Sequence, residues 1–418
     1  MKEIRSRDEL KGSCDEDEDV DEEIVELQLE LGECADSFNL ENAVCNHGFF
    51  MMAPNRWIPS KKTLERPLRL ANSITSLTVS IQQPHHHHHY LLVRVHGVHH
   101  LSSQDQQAIL IQVARMLRIS TKDERDVQKF HSMHPEAKKR GFGRIFRSPT
   151  LFEDAIKSIL LCNCTWMRTL KMSRELCKLQ LELSSGLICH DVLIGRKKGT
   201  TNSIGRRKGL KRKLQATYKN SSDDEDAAAA AGLLGNFPSP QELAKLNAKM
   251  LEERCNLGYR ATRILNFSKR VASGKLELKE PEDLVNDYDY DNHDDTNAVP
   301  VPYLQLQQNL MKVKGFGPFA CTNVLMCSGY YRQVPKDSET IRHCVQIHGR
   351  KNCNKKTIGA IIQEIYGKYS PFQCLAYWFE LLDYYEAKHG RLSELPNSSY
   401  GIVTGSIDMS QVVKKIGT

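Results

Sequence analysis

A turn with two glycines separates two predicted helices in the run VKGFGPFACTNVLMCSGYY, which starts at Val313. Apolar residues at helical spacing predict one helix over residues 303–311 and a second that begins at Pro318, where a missing N–H costs nothing. Gly315 and Gly317 allow the backbone to take a positive φ and to approach another surface without an intervening Cβ. Unpaired N–H groups at the start of the second helix then predict an anion-binding site. Many glycine turns only permit close helix packing, so the turn alone leaves both uses open.

One carboxylate, Asp337, follows the second helix after a short loop. Val334 precedes Pro335 and is restricted to extended backbone, so we expect the chain to turn away from the helix before Asp337. Asp337 can cap a helix that begins at Ser338, and this structural role is the more common one for an isolated aspartate. Backbone N–H donors also keep a carboxylate ionised, which favours stabilisation of a developing positive charge. The two roles are therefore compatible.

The net charge of +7 conceals an uneven distribution. Residues 14–33, 221–226 and 280–295 hold 23 acidic residues and no Lys or Arg, whereas residues 195–219 hold ten basic residues and no acidic one. Of the 58 basic and 51 acidic residues in the chain, 48 and 28 remain outside these four segments. A foldable body this basic predicts a polyanionic partner, and nucleic acid is the first candidate.

Other large classes of protein are disfavoured by the remaining composition. The start of the chain, MKEIRSRDELKGS, contains no apolar signal-peptide core, and no apolar run reaches the length of a membrane span. We therefore expect a soluble intracellular protein with no membrane partner.

The cysteines and histidines give no clear metal signature. The 13 cysteines are scattered, which is typical of reduced thiols rather than a disulfide framework. Cys344, Cys353 and Cys374 are too widely spaced for common iron–sulfur or zinc patterns, so we expect no such metal and no cofactor. The five histidines at 85–89 could bind metal, but a solvated hairpin tip is the more common use of such a run.

The hydrophobic pattern predicts an α+β protein in which helices predominate. Short β-branched or aromatic runs at 77–81 and 90–95 predict an antiparallel sheet, and helices are expected at 105–117 and 150–161. The predicted divisions are an acidic disordered tail at 1–36, a β domain at 37–103, a helical core at 104–194 and 233–395, a disordered insertion at 195–232, an acidic loop at 280–298 and a C-terminal tail at 396–418.

The insertion carries the basic clusters 196–198, 206–208 and 211–213. Such clusters are typical of nuclear-localisation or DNA-tethering segments, with a merely solvated loop as the alternative.

Several motifs in this order resemble the helix-hairpin-helix-GPD superfamily of DNA glycosylases. The glycine hairpin, its second helix and the VPKD loop ending at Asp337 carry the resemblance. FRSPTLFEDAIKSILLCNCTW is similar to the family's early helix and the Asn-bearing loop that fills the gap left by an extruded base, and FPSPQELA with LGYRA is similar to its linking segment. FNLENAVCNHGFFMMAPNRW looks like the extra β domain of the 8-oxoguanine and 3-methyladenine branches. The resemblance covers roughly residues 38–389, apart from the charged loops.

The resemblance implies a helical helix-hairpin-helix core with an N-terminal antiparallel β-sheet domain, and it implies roles for particular residues. Asp337 would be the catalytic carboxylate, acting on the C1′–N bond of a nucleotide flipped out of the duplex. Carbonyls of Lys312 and Val313 would be candidates for a monovalent cation. The DNA-backbone hairpin would comprise Val313, Lys314, Gly315, Phe316, Gly317 and Pro318.

Five residues are candidates for the base gap or base pocket. Asn163 could replace the extruded base or only cap a turn, and Trp166 could stack beside the lesion or only pack in the core. Gln373 or Trp378 could line the pocket, and Phe319 lies close to the hairpin. Tyr259 and Arg260 in LGYRA, by contrast, are expected to form a packing corner, and His343 and His348 are expected to be ordinary helix or loop residues.

Phe319 also bears on the reaction. Bifunctional members of the family place a Schiff-base lysine at this position, so the resemblance implies a monofunctional enzyme that leaves an abasic site. A bifunctional glycosylase/lyase, with Lys314 and Lys336 near the hairpin, and a non-catalytic DNA-binding protein are the alternatives. The expected partner is double-stranded DNA with a damaged or modified base, bound by a monomer in the nucleus.

Overall fold

The computed structural model describes residues 23–84, 89–186, 234–280 and 300–405. Its N-terminal part is a five-stranded antiparallel sheet in the order β1-β5-β4-β3-β2. Alternate residues of the last strand, Leu91, Val93 and Val95, are fully buried, as a half-buried strand requires. The strands are β1 Ile24–Glu30, β2 Arg56–Ile58, β3 Thr63–Arg69, β4 Ser76–Gln82 and β5 Tyr90–His96. The α+β prediction and the strands expected at 77–81 and 90–95 are confirmed.

Fourteen α-helices are found in the described residues, and most of them follow the sheet. They are α1 Leu40–Val44, α2 Ser103–Leu117, α3 Thr121–Met133, α4 Pro135–Lys139, α5 Leu151–Leu161, α6 Trp166–Ser184, α7 Pro240–Ala244, α8 Ala248–Cys255, α9 Arg260–Ala272, α10 Val301–Met311, α11 Pro318–Cys327, α12 Ser338–Gln346, α13 Ile358–Tyr366 and α14 Gln373–His389. The helices expected at 105–117, 150–161 and 303–311 are confirmed. None of the helices in these ranges is long and apolar enough to cross a bilayer.

The prediction of a disordered tail up to residue 36 is wrong for its last part. Strand β1 pairs with β5 along its whole length, from Ile24 opposite His96 to Glu30 opposite Tyr90. Its sequence IVELQLE alternates apolar and polar residues, and Leu27 is buried. The acidic composition concealed this period-two pattern, because the acids lie on the other face, where Glu26 pairs with Arg94 at 2.8 Å.

One other predicted boundary is corrected. A 3-10 helix at Asn397–Ile402 buries Tyr400 against the protein, so the predicted tail at 396–418 begins as part of the folded body. Glu280, the first residue of the predicted acidic loop, lies outside any helix or strand, and its side chain pairs with Arg115 at 2.7 Å. The insertion at 195–232, the rest of the acidic loop and residues 406–418 lie outside the described residues.

A buried ion pair joins the sheet to the helical core. Arg66 of β3 lies 3.0 Å from Glu153 of α5, and both side chains are almost completely buried. Lys157, one turn further along α5, lies 2.8 Å from the same carboxylate. These cations lower the pKa of Glu153 to about 2 despite the opposing cost of its burial. The pair therefore aligns β3 with α5, which leads into the Asn163 loop.

Candidate nucleic-acid interface and active site

The turn between α10 and α11 is held from inside by two apolar side chains. Val313 and Phe316 are 3% and 5% exposed, and the Phe316 ring lies 4.9 Å from that of Phe267 in α9. The Phe316 N–H donates to the Val313 carbonyl at 3.1 Å. The neighbouring residues Lys312, Lys314, Gly317 and Pro318 are exposed. The turn therefore presents its backbone and two cations outward.

The two glycines have different physical reasons to be glycine. Gly315 has φ +125, a conformation that side chains rarely adopt, and a Cβ there would lie 3.1 Å from the Cβ of Arg263. Gly317 caps α11, and nothing lies within 4 Å of the place where its Cβ would be. Among the described residues, no group accepts a hydrogen bond from the N–H of either glycine. With the N–H groups of the first turn of α11, they form an exposed set of backbone donors, which is the type of group that binds anions at helix starts.

Two buried arginines hold the far end of α11. Arg118 donates to the carbonyls of Met326 and Cys327 at 2.9 Å each, and Arg147 donates to Cys327 at 2.8 Å. The last carbonyls of a helix have no partner within it, so these bonds fix the helix that begins at the glycine turn. Nothing in the sequence around the arginines indicated this role, because the partners lie about 200 residues away.

Asp337 caps α12, as the sequence predicted. Its Oδ1 accepts from the N–H and from the hydroxyl of Thr340, both at 2.9 Å, while Oδ2 is not part of this cap. The side chain is half-buried. Burial raises the pKa of Asp337, and the two bonds from Thr340 oppose this rise. The carboxylate is thus fixed through one oxygen and can act through the other.

Thr340 links Asp337 to the core. Its hydroxyl oxygen lies 2.6 Å from the Pro335 carbonyl and 3.0 Å from the hydroxyl of Tyr377, a buried residue of α14. One hydroxyl has one proton to give, so Thr340 can accept from Tyr377 while it donates towards Asp337 or Pro335. The orientation of the carboxylate therefore depends on α14 as well as α12.

The loop that delivers Asp337 runs beside the first half of α11. The Thr322 hydroxyl lies 3.4 Å from Oε1 of Gln333, four residues before Asp337. Phe319 is half-buried one turn before Thr322. The structure thus places the loop before Asp337 beside the half of α11 that begins at the glycine turn and includes Phe319.

Asn163 is exposed at the end of α5 and has a left-handed backbone, with φ +48. Asn is one of the few residues that accept this conformation. Arg260, buried and at the start of α9, donates to the carbonyls of Cys162 and Asn163, the second bond being 3.1 Å long. The expected packing corner is therefore a clamp that presents the Asn163 side chain.

Tyr259 connects this loop to the glycine turn. It is 46% exposed, its hydroxyl donates to the Cys162 carbonyl at 3.3 Å, and the Arg263 guanidinium lies 4.2 Å from its ring centroid. Arg263 in turn packs against Gly315. Asn163, Tyr259, Arg263 and the glycine turn therefore form one continuous surface. The sequence analysis assigned Tyr259 to a packing corner and did not single out Arg263, although an aromatic residue beside an arginine is a signal for stacking on nucleic acid.

Trp166 is tied into the protein instead. Its indole N–H donates to the Tyr400 carbonyl at 2.8 Å, and its ring lies 3.1 Å from the place where a Cβ of Gly48 would be. Gly48 follows His47 and lies in the segment before β2. Of the two alternatives, the contacts favour packing for Trp166.

Gln373 and Trp378 lie on α14 beside the N-terminal segment. The Trp378 ring is in edge contact with His47, with ring centroids 4.6 Å apart, and burial lowers the pKa of His47 to about 3, which keeps it neutral. Gln373 is buried, and its Oε1 has no hydrogen-bond partner among the described residues. Gln373 and Trp378 therefore lie where α14 meets the segment around His47.

Comparisons with known proteins gave structural matches only. No protein-family model and no curated protein matches the sequence. The chain is similar to a 3-methyladenine DNA glycosylase from Archaeoglobus fulgidus, with 15% identity, a TM-score of 0.48, and coverage of 87% of this chain and 98% of the other. It is also similar to an 8-oxoguanine glycosylase/lyase from Clostridium acetobutylicum bound to double-stranded DNA, with 13% identity, a TM-score of 0.49, and coverage of 83% and 93%.

Proposed function

We propose that this protein is a DNA N-glycosylase of base-excision repair, which binds double-stranded DNA and hydrolyses the bond between a flipped, damaged or modified base and its deoxyribose. The observation that carries the proposal is the arrangement around α11. An open set of backbone N–H groups lies at its first turn, and the loop that packs beside the same half of the helix ends at the capped, half-buried Asp337.

The glycine turn suits a phosphate of the DNA backbone. Backbone N–H groups at a helix start bind phosphate without reading sequence, and the exposed Lys312 and Lys314 add positive charge on the same turn. The empty space beyond Gly317 permits the close approach that such a contact requires. A monovalent cation at the carbonyls of Lys312 and Val313 is part of the proposal. The Val313 carbonyl also accepts from Phe316, and a second lone pair is available.

The Asn163 loop suits the position of the extruded base. A base can be reached chemically only after it leaves the stack, at a cost of a few kcal/mol. Asn163 and Tyr259 are exposed side by side on the surface that includes the glycine turn, and each offers groups that can replace lost stacking or pairing. We propose that Asn163 and Tyr259 contact the duplex, and that Gln373 and Trp378 contact the flipped base.

Asp337 would stabilise the sugar as the base departs. The C1′–N bond breaks with its electron pair going to the base, and positive charge develops on the deoxyribose ring. The ionised carboxylate opposes this charge, and Oδ2 can orient a water whose oxygen then bonds to C1′ and whose proton passes to the carboxylate or solvent. The product is a free base and an abasic site.

Phe319 supports the monofunctional form of this reaction. A lyase needs an amine that can form a Schiff base with C1′, and the position next to the turn carries an aromatic ring. We also propose that the enzyme is monomeric and nuclear. The nuclear location is proposed because of the basic clusters between residues 196 and 213.

The test uses duplexes carrying alkylated, oxidised or deaminated bases, with mass spectrometry of the released bases and borohydride trapping in parallel. We expect one base class to be released by the wild type and not by Asp337→Asn, with no trapped adduct. Trapping would replace the monofunctional assignment with a bifunctional one. Tight binding with no release from any substrate would favour a non-catalytic DNA-binding protein.

A further inference from the structure

A cluster of two histidines and one glutamate lies behind the helix that Asp337 caps. His343 is on α12, His348 follows the end of α12, and Glu380 is in the middle of α14. Nε2 of His343 and Nε2 of His348 lie 3.2 and 2.8 Å from the same oxygen, Oε2 of Glu380. All three potential ligand atoms lie within 4.8 Å of one another.

The spacing of these atoms fits a metal ion. Zinc binds imidazole nitrogen and carboxylate oxygen at about 2.0–2.1 Å in a tetrahedron, which places neighbouring ligand atoms roughly 3.3 Å apart. The two nitrogen–oxygen distances of 3.2 and 2.8 Å are close to that spacing. Binding would therefore need side-chain shifts of a few tenths of an ångström in these two pairs and no change of fold.

The groups also converge on one point rather than spreading over the carboxylate. The Tyr366 hydroxyl donates to the same Oε2 at 2.6 Å, which makes three partners for one oxygen. Among the described residues, none donates to Oε1 of Glu380. Ligands of a shared cation must point to one place, and these groups do so.

The cluster is buried on one side and partly exposed to solvent on the other. The His343 side chain is fully buried, while those of His348 and Glu380 are 21% and 28% exposed. The His343 ring is held in edge contact with Tyr377, with ring centroids 5.5 Å apart. One ligand is thus fixed in the core, and the other two face a route for a metal ion and a water.

We propose that His343, His348 and Glu380 bind one Zn²⁺ ion, with water or the Tyr366 hydroxyl as the fourth ligand. Two imidazoles and one carboxylate suit zinc or a similar transition metal better than Mg²⁺ or Ca²⁺, which prefer oxygen. The metal takes the Nε2 lone pair of each neutral imidazole, so each ring carries its proton on Nδ1. The site would fasten α12 and the segment after it to α14.

Such a site would have a structural consequence for Asp337. The His343 ring contacts Tyr377, the Tyr377 hydroxyl lies 3.0 Å from that of Thr340, and Thr340 binds Asp337. Metal binding would therefore hold both the helix capped by Asp337 and the tyrosine that supports the cap. Only this consequence rests on the proposed function, because the metal site itself can be tested without any DNA.

The experiment must exclude metal bound by the histidines at 85–89, so the full chain is used with those five residues replaced by serine. Zinc content is measured after dialysis, and Co²⁺ is added to metal-free protein to record the d–d absorption of the bound ion. His348→Gln and Glu380→Gln remove ligands, and His389→Gln, a partly buried histidine elsewhere on α14, is the matched control.

We expect one zinc or cobalt ion per chain in the serine background and in His389→Gln, and a loss of at least tenfold in affinity in the ligand variants. Zinc at 100 times its Kd should raise the thermal unfolding midpoint of the serine background by about 4 °C, and it should not raise that of His348→Gln. His348 is partly exposed after a helix end, so this variant tests the site even if Glu380→Gln does not fold. No ion above the level of the ligand variants, or full binding by His348→Gln, would overturn the proposal and leave a hydrogen-bonded cluster only.

Discussion

Replacing Asp337 by asparagine separates its two roles. The amide keeps an oxygen that can accept both bonds from Thr340, so the cap of α12 is retained and the free energy of unfolding should change by less than about 1 kcal/mol. The negative charge is lost. At about 4 Å from a developing positive charge and an effective dielectric constant near 20, that charge is worth about 4 kcal/mol, or about a thousandfold in rate.

The assay is single-turnover base release with enzyme in excess over a duplex that carries the substrate base, with unfolding followed in denaturant. Asp105→Asn is the matched control, since Oδ1 of Asp105 also accepts a backbone N–H, that of Ala71 at 3.0 Å, far along the chain from the hairpin. We expect the control to retain its rate. A folded Asp337→Asn protein with an unchanged rate would refute the catalytic role, and a loss of several kcal/mol in stability would show that the charge is needed for the cap itself.

The catalytic role of the Asp337 carboxylate also predicts how base release and stability depend on pH. Burial raises the pKa of Asp337, and the carboxylate is the active form, so base release should fall as the pH drops through a value above the usual 3.9 of aspartic acid. The folded state also binds this proton more tightly than the unfolded state. Stability should therefore decrease slightly as the pH rises through that range, and Asp337→Asn should remove this decrease.

Four further substitutions test the surface and its supports. Gly317→Ala should change the free energy of unfolding by no more than about 0.5 kcal/mol because the added Cβ contacts nothing, yet it should weaken DNA binding because it occupies the space for a phosphate. Gly315→Ala should weaken DNA binding and also lower the free energy of unfolding by about 1–3 kcal/mol. Equilibrium unfolding measures the stability of both variants, and fluorescence anisotropy measures their DNA binding. Arg260→Met should release the Asn163 loop and lower base release more than it lowers affinity for undamaged duplex, measured in the same two assays. Glu153→Gln should lower the free energy of unfolding by about 3–5 kcal/mol at neutral pH because Arg66 loses its buried counter-charge. In an acid-unfolding series, the difference in stability from wild type should shrink as the pH falls from about 4.5 towards 2, because Glu153 then becomes protonated in the wild type as well.

Features set by neighbours in sequence could be predicted. The start of α5 after Thr150 and of α12 after Asp337 depends on a side chain that binds an N–H three residues later. The alternating pattern of β4 and β5 and the glycine turn before Pro318 are likewise local. The position of the candidate carboxylate after the hairpin helix follows from the same short-range order.

Strand β1 shows where this reasoning failed. Composition over residues 1–36 is dominated by acids, and an average over such a window favours disorder. Residues 24–30 form a strand because β5, more than 60 residues later, supplies a hydrogen-bonded edge along their whole length. A pairing partner outweighs composition, and it cannot be read from the segment itself.

The sequence by itself determined the order of helices, the glycine turn before α11, the cap at Asp337 and the basic balance of the body, since each depends on residue types or on contacts within one turn. Only the tertiary structure decided what surrounds them. Arg118 on the last carbonyls of α11, Arg263 against Gly315, and the convergence of His343, His348 and Glu380 join residues that are 32 to 209 positions apart. Such contacts arise when helices pack, because packing selects among the many partners that spacing along the chain allows.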